Sequence, residues 1–143
     1  MSFESWFEQT LEHEGGFVNA PDDKGGATNF GITKESYSEF KDRRVTASEI
    51  EAMTVEDARD FYLEFWNNLG LSNVPSAIRP LYLDAAVNMG KGGASKVMQM
   101  ACNTKLNPTN ASGEDDFKWI DVDGVPGSGT REALDKVLIF IRL

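Results

Sequence analysis

The chain has 143 residues, 41% of them hydrophobic and 26% charged, with a net charge of −9 and a pI near 4.6. That length suits one compact domain with a core of its own. The acidic balance, with no basic stripe, argues against a nucleic-acid partner. A single cysteine, Cys102, excludes an intrachain disulfide. A single histidine, His13, excludes a multi-histidine metal site and any Ser-His-Asp triad not built on it.

No apolar run approaches the ~20 residues of a membrane span. Met1-Ser2-Phe3-Glu4 lacks the basic and apolar regions of a secretory leader. The expectation is a protein made in the cytoplasm, which needs a separate route if it acts beyond it.

The first helix is expected from about Ser2. Phe3, Trp6, Phe7, Thr10 and Leu11 recur at three- and four-residue steps, the spacing of one helical face. Three residues past Leu11, on the same stripe, stands Glu14, and Gly15-Gly16 then stop the helix. A carboxyl against aromatic side chains is desolvated, which disfavours its charged form. The negative end of the helix dipole pushes the same way. Both effects favour a general acid working near neutral pH. Glu12 reads as a solvent-facing residue, and His13 as a partly exposed neighbour pointing elsewhere.

Residues 15–33 are dense in turn formers. Phe17-Val18 and Phe30-Gly31-Ile32 could pair as a small hairpin. A long irregular loop in a compact domain is usually functional or disordered, and its place after Glu14 favours function. Thr33 caps a helix through Ser36 to Phe40. Lys41-Asp42-Arg43-Arg44 is a solvated link, and Thr46-Ala47-Ser48-Glu49 matches a capping box. Thr54 and Asp57 form a second one, opening a helix with Val55, Ala58, Phe61, Tyr62, Phe65 and Trp66 on one face.

Pro75 suits the first turn of the next helix, which carries Ile78, Leu81, Tyr82, Ala85, Val87, Asn88 and Met89 and ends at Gly90. Another helix runs from Ala94 to about Leu106, with Val97, Met98, Ala101 and Cys102 inward. Residues 107–129 are polar and turn-rich. Asp121-Val122-Asp123-Gly124 is only a fragment of a calcium loop, without the closing glutamate. Thr130 caps a last helix, Arg131 to Leu143, whose end is strongly apolar. The fold class expected is mainly α, with at most one small β-hairpin after the first helix.

Hydrolysis of a glycosidic bond needs a proton donor and, across the bond, a carboxylate or a held water. Glu14 suits the donor. The second group is open among Asp22, Asp23 and Thr28: an aspartate can stabilise positive charge or act as base, and a threonine hydroxyl can hold water. Ordinary turn chemistry accounts equally well for acids after Pro21. Tyr62 and Trp66, one helical turn apart, can line a sugar groove or simply fill the core. Asn88, read as a buried amide that needs partners, stands one turn after Asp84 on the same side of its helix. Asn29, in the glycine-rich stretch, completes the substrate-binding candidates.

Glu14-Gly15-Gly16-Phe17-Val18-Asn19, then Asp22, then Gly25-Gly26-Ala27-Thr28-Asn29-Phe30-Gly31-Ile32-Thr33 closely resembles the opening motif of the glycoside hydrolase 108 family, N-acetylmuramidases found among phage endolysins and bacterial secretion-activator-type proteins. Phe61-Tyr62-Leu63-Glu64-Phe65-Trp66 looks like that family's Tyr/Trp helix. Leu83-Asp84-Ala85-Ala86-Val87-Asn88-Met89-Gly90 looks like its Asp-x-x-Val-Asn-x-Gly helix. Lys96-Val97-Met98-Gln99-Met100-Ala101 and Asp123-Gly124-Val125-Pro126-Gly127 resemble pieces of its peptidoglycan-binding-like segment.

The resemblance implies a single lysozyme-like helical domain over 1–143. Residues 1–92 would be the catalytic motif region, and 93–143 a peptidoglycan-binding-like helical segment packed on it. It implies cleavage of the β-1,4 bond between N-acetylmuramic acid and N-acetylglucosamine, with Glu14 as catalytic acid. Asp23 and Thr28 are the nearest counterparts of the aspartate and threonine that follow the glutamate in phage lysozymes. The implied partner is the bacterial peptidoglycan strand; no cofactor and no metal are expected, and a monomer is the expected state, though the sequence itself does not supply it. The route to the wall would be holin release for a phage protein or dedicated secretion for a bacterial one. Two departures stand out: the C-terminus is shorter than usual in the family, and 107–120 looks like an insertion. A lytic transglycosylase and a non-catalytic peptidoglycan-binding module are the alternatives.

Overall fold

A computed structural model describes residues 1–13, 15–19, 26–106 and 119–141, without the side chains of 13, 140 and 141. The chain is mainly α-helical and falls into two compact units, Met1–Asn68 and Leu69–Leu143.

In the first unit, α1 (Phe3–His13) and α4 (Val55–Asn68) pack through aromatic side chains. Phe3, Trp6 and Phe7 stand at i, i+3 and i+4 on α1 and are buried. They meet Tyr62 and Trp66, which are also one turn apart. Trp6 lies 5.3 Å from Trp66 and 5.6 Å from Tyr62, centroid to centroid, within the range of favourable ring pairs. Val55, expected on this face, is exposed. It is the first residue of α4, ahead of the turn that meets the cluster.

Three short antiparallel strands follow α1, one more than a hairpin: β1 (Val18–Asn19), β2 (Ala27–Asn29) and β3 (Ile32–Thr33), in the order β1-β2-β3. The register pairs Val18 with Thr28 and Asn19 with Ala27, then Thr28 with Thr33 and Asn29 with Ile32. Ala27, Asn29 and Ile32 are buried, so Thr28 projects to the other face with its cross-strand partners Val18 and Thr33. Phe30 and Gly31, expected as strand, form the two-residue turn between β2 and β3. Both have positive φ, 50° and 73°, as in a type I′ hairpin turn. Phenylalanine pays about 1–3 kcal/mol to sit there.

The local helix signals are realised in α2 and α3. Thr33 Oγ1 accepts from the Ser36 N–H and caps α2 (Lys34–Phe40). Thr46 and Glu49 form the full capping box of α3 (Ala47–Glu51). Thr54 and Asp57 exchange the same reciprocal bonds at the start of α4.

In the second unit, a 3₁₀ turn (Leu71–Asn73) precedes α5 (Arg79–Leu106), and α6 (Ser128–Ile141) packs against α5. Pro75 lies outside the helix: its carbonyl accepts from Ile78 in the preceding turn. Gly90 breaks α5 with φ 74° and ψ 161°, where the sequence places a helix end.

The buried face of the second half of α5 is Ala94, Ser95, Gln99, Cys102 and Asn103. Val97, expected inward, is exposed, and so is Ala101. The polar residues Ser95, Gln99 and Asn103, at four-residue steps, take the inner stripe instead. Gln99 Nε2 donates to Asp123 Oδ1, Val125 O and Thr130 Oγ1, and its Oε1 accepts from the Gly124 N–H. Asn103 clamps Ile120 by a reciprocal pair, each bond 2.9 Å long. Thr130 is therefore not a cap: α6 begins at Ser128, and Thr130 is buried inside it facing Gln99. In α6, Ala133 and Leu134 are buried with Cys102, while Ile139 is exposed.

Candidate functional site

Glu14, Asp22 and Asp23 lie outside the described residues, as do the His13 side chain and the 107–118 stretch. The frame around them in sequence is described. Glu14 follows His13, the last residue of α1, and residues 20–25 join β1 to β2. The remaining candidates of the first unit lie on β2, Thr28 and Asn29, and on α4, Tyr62 and Trp66.

Thr28 occupies the central strand and is half-buried. Asn29, its neighbour, faces the core. Its Nδ2 donates to the Ile50 carbonyl at 2.9 Å, tying the sheet to α3. An amide at 5% exposure with a backbone partner holds structure in this state. Tyr62 is also buried, and its hydroxyl donates to the Phe30 carbonyl at 2.8 Å. Its ring packs on Trp6 and Phe7 of α1 and on Phe61 of its own helix. Trp66 is half-buried against Phe3 and Trp6, so part of its ring remains open to solvent.

Asp84 and Asn88 belong to the second unit, on the first half of α5, and both are exposed. Asn88 is not the buried amide expected. Its Nδ2 donates to the Asp84 carbonyl one turn earlier, at 2.9 Å. The two residues do share one side of the helix, as their spacing requires.

The second unit also has an apolar groove of about 380 Å³, lined by Leu81, Val97, Met98, Leu134 and Val137 among others. Among the described residues, Lys105 is the one charged residue on its lining, which carries no carboxylate. Cys102 at its base is held protonated by burial, its thiol pushed up to about 11. Tyr82, also on the lining, is raised by burial, partly offset by its hydrogen bond with Ser95.

One feature of the site frame escapes sequence reasoning. Phe30 at positive φ carries no turn signature, because phenylalanine is not a turn residue. The inward aim of Asn29 follows from strand alternation once Ala27 and Ile32 are taken as the core face, and that signal was available.

The sequence pattern of the glycosyl hydrolase 108 family matches residues 7–90, from α1 to the break in α5. Among solved structures, SagA of Brucella abortus is 32% identical, with a TM-score of 0.76 over 94% of this chain and 68% of that one. No curated protein sequence matches the chain.

Proposed function

The chain belongs to the glycosyl hydrolase 108 family, and from that premise we propose that it is a lysozyme-type peptidoglycan hydrolase, an N-acetylmuramidase with Glu14 as its general acid. The observation that carries the reading is the place of Glu14. It comes one residue past the end of a helix whose inner face is Phe3, Trp6 and Phe7, and it falls inside the family match. A carboxyl at a helix C-terminus beside apolar groups is favoured in its neutral form.

In the proposed reaction the protonated Glu14 carboxyl donates to the oxygen of the β-1,4 bond between N-acetylmuramic acid and N-acetylglucosamine. The C1–O bond breaks, and positive charge develops on the muramic acid ring. Thr28, on the sheet face turned from the core, holds the water that attacks C1. Asp23, in the β1–β2 connection, takes the water's proton, or stabilises the charge while the Glu14 carboxylate takes that proton. The open part of Trp66 is the candidate sugar contact of the first unit, and Asp84 and Asn88, exposed on α5, are candidate contacts of the second taken by itself. Tyr62 and Asn29 support the site from within the core. The place of action is the bacterial cell wall. No described helix is long and apolar enough to cross a membrane.

The test is Glu14→Gln, which keeps the shape and removes the acid. We expect activity in a peptidoglycan zymogram to fall by about 10²–10⁴-fold, the usual contribution of a general acid. A variant as active as the parent refutes the assignment. Mass spectrometry of the products reads the outcome: reducing ends are expected, whereas 1,6-anhydro ends would mean a transglycosylase.

A further inference from the structure

We propose that Tyr62 is a positioning residue of the reaction, acting through the Phe30–Gly31 turn to set Thr28. This rests on the reading of Thr28 given above. β2 is three residues long and its partners two each, and among the described residues the ladder holds four residue pairs. A sheet that short does not fix its own position. Its closing turn places Phe30, with a full side chain, at φ 50°. Such a conformation persists only where surrounding contacts impose it.

Among the described residues, two side-chain hydrogen bonds between this hairpin and the helices around it impose it here. Asn29 is tied to Ile50, and the Phe30 carbonyl accepts the Tyr62 hydroxyl at 2.8 Å, two residues from Thr28. The Tyr62 ring meanwhile packs on Trp6 and Phe7, 5.6 and 6.0 Å away, on the helix that runs to the residue before Glu14. One side chain thus bears on both the helix leading to the proposed acid and the strand carrying the proposed water-holding threonine. The sequence leaves Tyr62 open between a sugar groove and the core; its 3% exposure and its bond to the Phe30 carbonyl tie it to the hairpin.

The experiment pairs Tyr62→Phe with Phe30→Gly. Tyr62→Phe keeps the ring packing and removes only the hydroxyl. Assayed well below its melting temperature on soluble peptidoglycan fragments, it is expected to lose about tenfold in kcat with KM nearly unchanged, because small misplacements of a reacting group are costly. Phe30→Gly removes the conformational demand, since glycine takes positive φ freely. In the Tyr62→Phe background it is expected to restore most of the lost kcat.

A Tyr62→Phe enzyme with kcat within twofold of the parent and only a lower melting temperature would reduce Tyr62 to a structural role and overturn the proposal. A raised KM without rescue by Phe30→Gly would overturn it too, by placing Tyr62 on the substrate. Thr28→Ala, run alongside, separates the two readings: full activity there removes Thr28 from the chemistry, whatever Tyr62→Phe does. The structural half is read without activity, from amide exchange at Thr28 and Asn29. Exchange unchanged in Tyr62→Phe would overturn the proposal, and faster exchange that Phe30→Gly reverses supports it.

Discussion

The two units bury opposite kinds of helix face. In Met1–Asn68 the inward stripe of α1 is Phe3, Trp6 and Phe7, met by the rings of α4. In Leu69–Leu143 the inward stripe of α5 includes Ser95, Gln99 and Asn103, each at most 4% exposed. Aromatic packing is non-directional in its main term and tolerates small shifts. A buried amide is directional and costly when unpaired. Gln99 and Asn103 use theirs to fasten an irregular segment, Ile120 to Val125, onto a helix. The first unit can therefore hold a strained turn through the hydroxyl of a ring fixed in its aromatic cluster, whereas the second uses amides to order a stretch with no regular structure of its own.

The largest effect expected from breaking this contrast is at Trp6. Trp6→Ala removes the ring that touches Phe3, Tyr62, Phe65 and Trp66. We expect a loss of about 3–5 kcal/mol in urea unfolding, typical of a large aromatic truncation in a core. A cost below ~1 kcal/mol would show that the rings do not hold the unit. In the second unit, Gln99→Leu keeps an apolar side chain of similar length and strands the buried Gly124 N–H and Thr130 hydroxyl. The expected cost is about 2 kcal/mol, the scale of one or two unsatisfied buried groups. If Gln99→Leu is neutral or stabilising, the polar stripe is dispensable and the two units differ only in composition.

The same contrast decides what the sequence revealed. Ring spacing on α1 and α4 was legible, as were the Thr33, Thr46 and Thr54 caps, because each is a local pattern tied to helix geometry. The glycine break at residue 90 was legible for the same reason. Buried polar residues were not. Ser95, Gln99 and Asn103 look like a solvent face until the segment they bind is known, so Val97 was turned inward in their place. Thr130 carried a cap signal two residues inside its helix, and Asn88 was read as buried where it bonds its own helix. In the site, Glu14 itself lies outside the described residues, and an acid at the end of the first helix could be proposed from helix period and glycines. The tasks of Asn29 and Tyr62 could not, because both act on backbone carbonyls, Ile50 and Phe30, distant in sequence.

A smaller effect sharpens the comparison from the surface. Thr46→Ala removes the cap of α3, the helix whose Ile50 carbonyl receives the Asn29 amide. About 1 kcal/mol is expected in thermal or urea unfolding, the usual worth of such a cap. If the loss were several times larger, the sheet would depend on α3 more than on the aromatic cluster.

The smallest effect is a pH dependence at Glu49. Its carboxylate is held at about 2, below its ordinary 4.5, first by the hydrogen bond from Arg43 and then by the Thr46 N–H and hydroxyl. A carboxylate depressed in the folded state contributes stability that is whole above its unfolded value and is lost as pH falls through the folded one. The stability difference between the parent and Glu49→Gln should therefore stay level from neutrality to about pH 5 and close between 4.5 and about 2. Both partners are well exposed, so added salt should shrink the difference at neutral pH. Asp123 in the second unit is lowered as well, first by Gln99 and then by the Val125 N–H. Gln99→Leu should flatten that part of the acid limb, while Glu49→Gln leaves it in place. If either substitution removed both acid contributions, the two units would not be held independently, and the contrast between ring packing and amide bonding would not divide the stability of the chain.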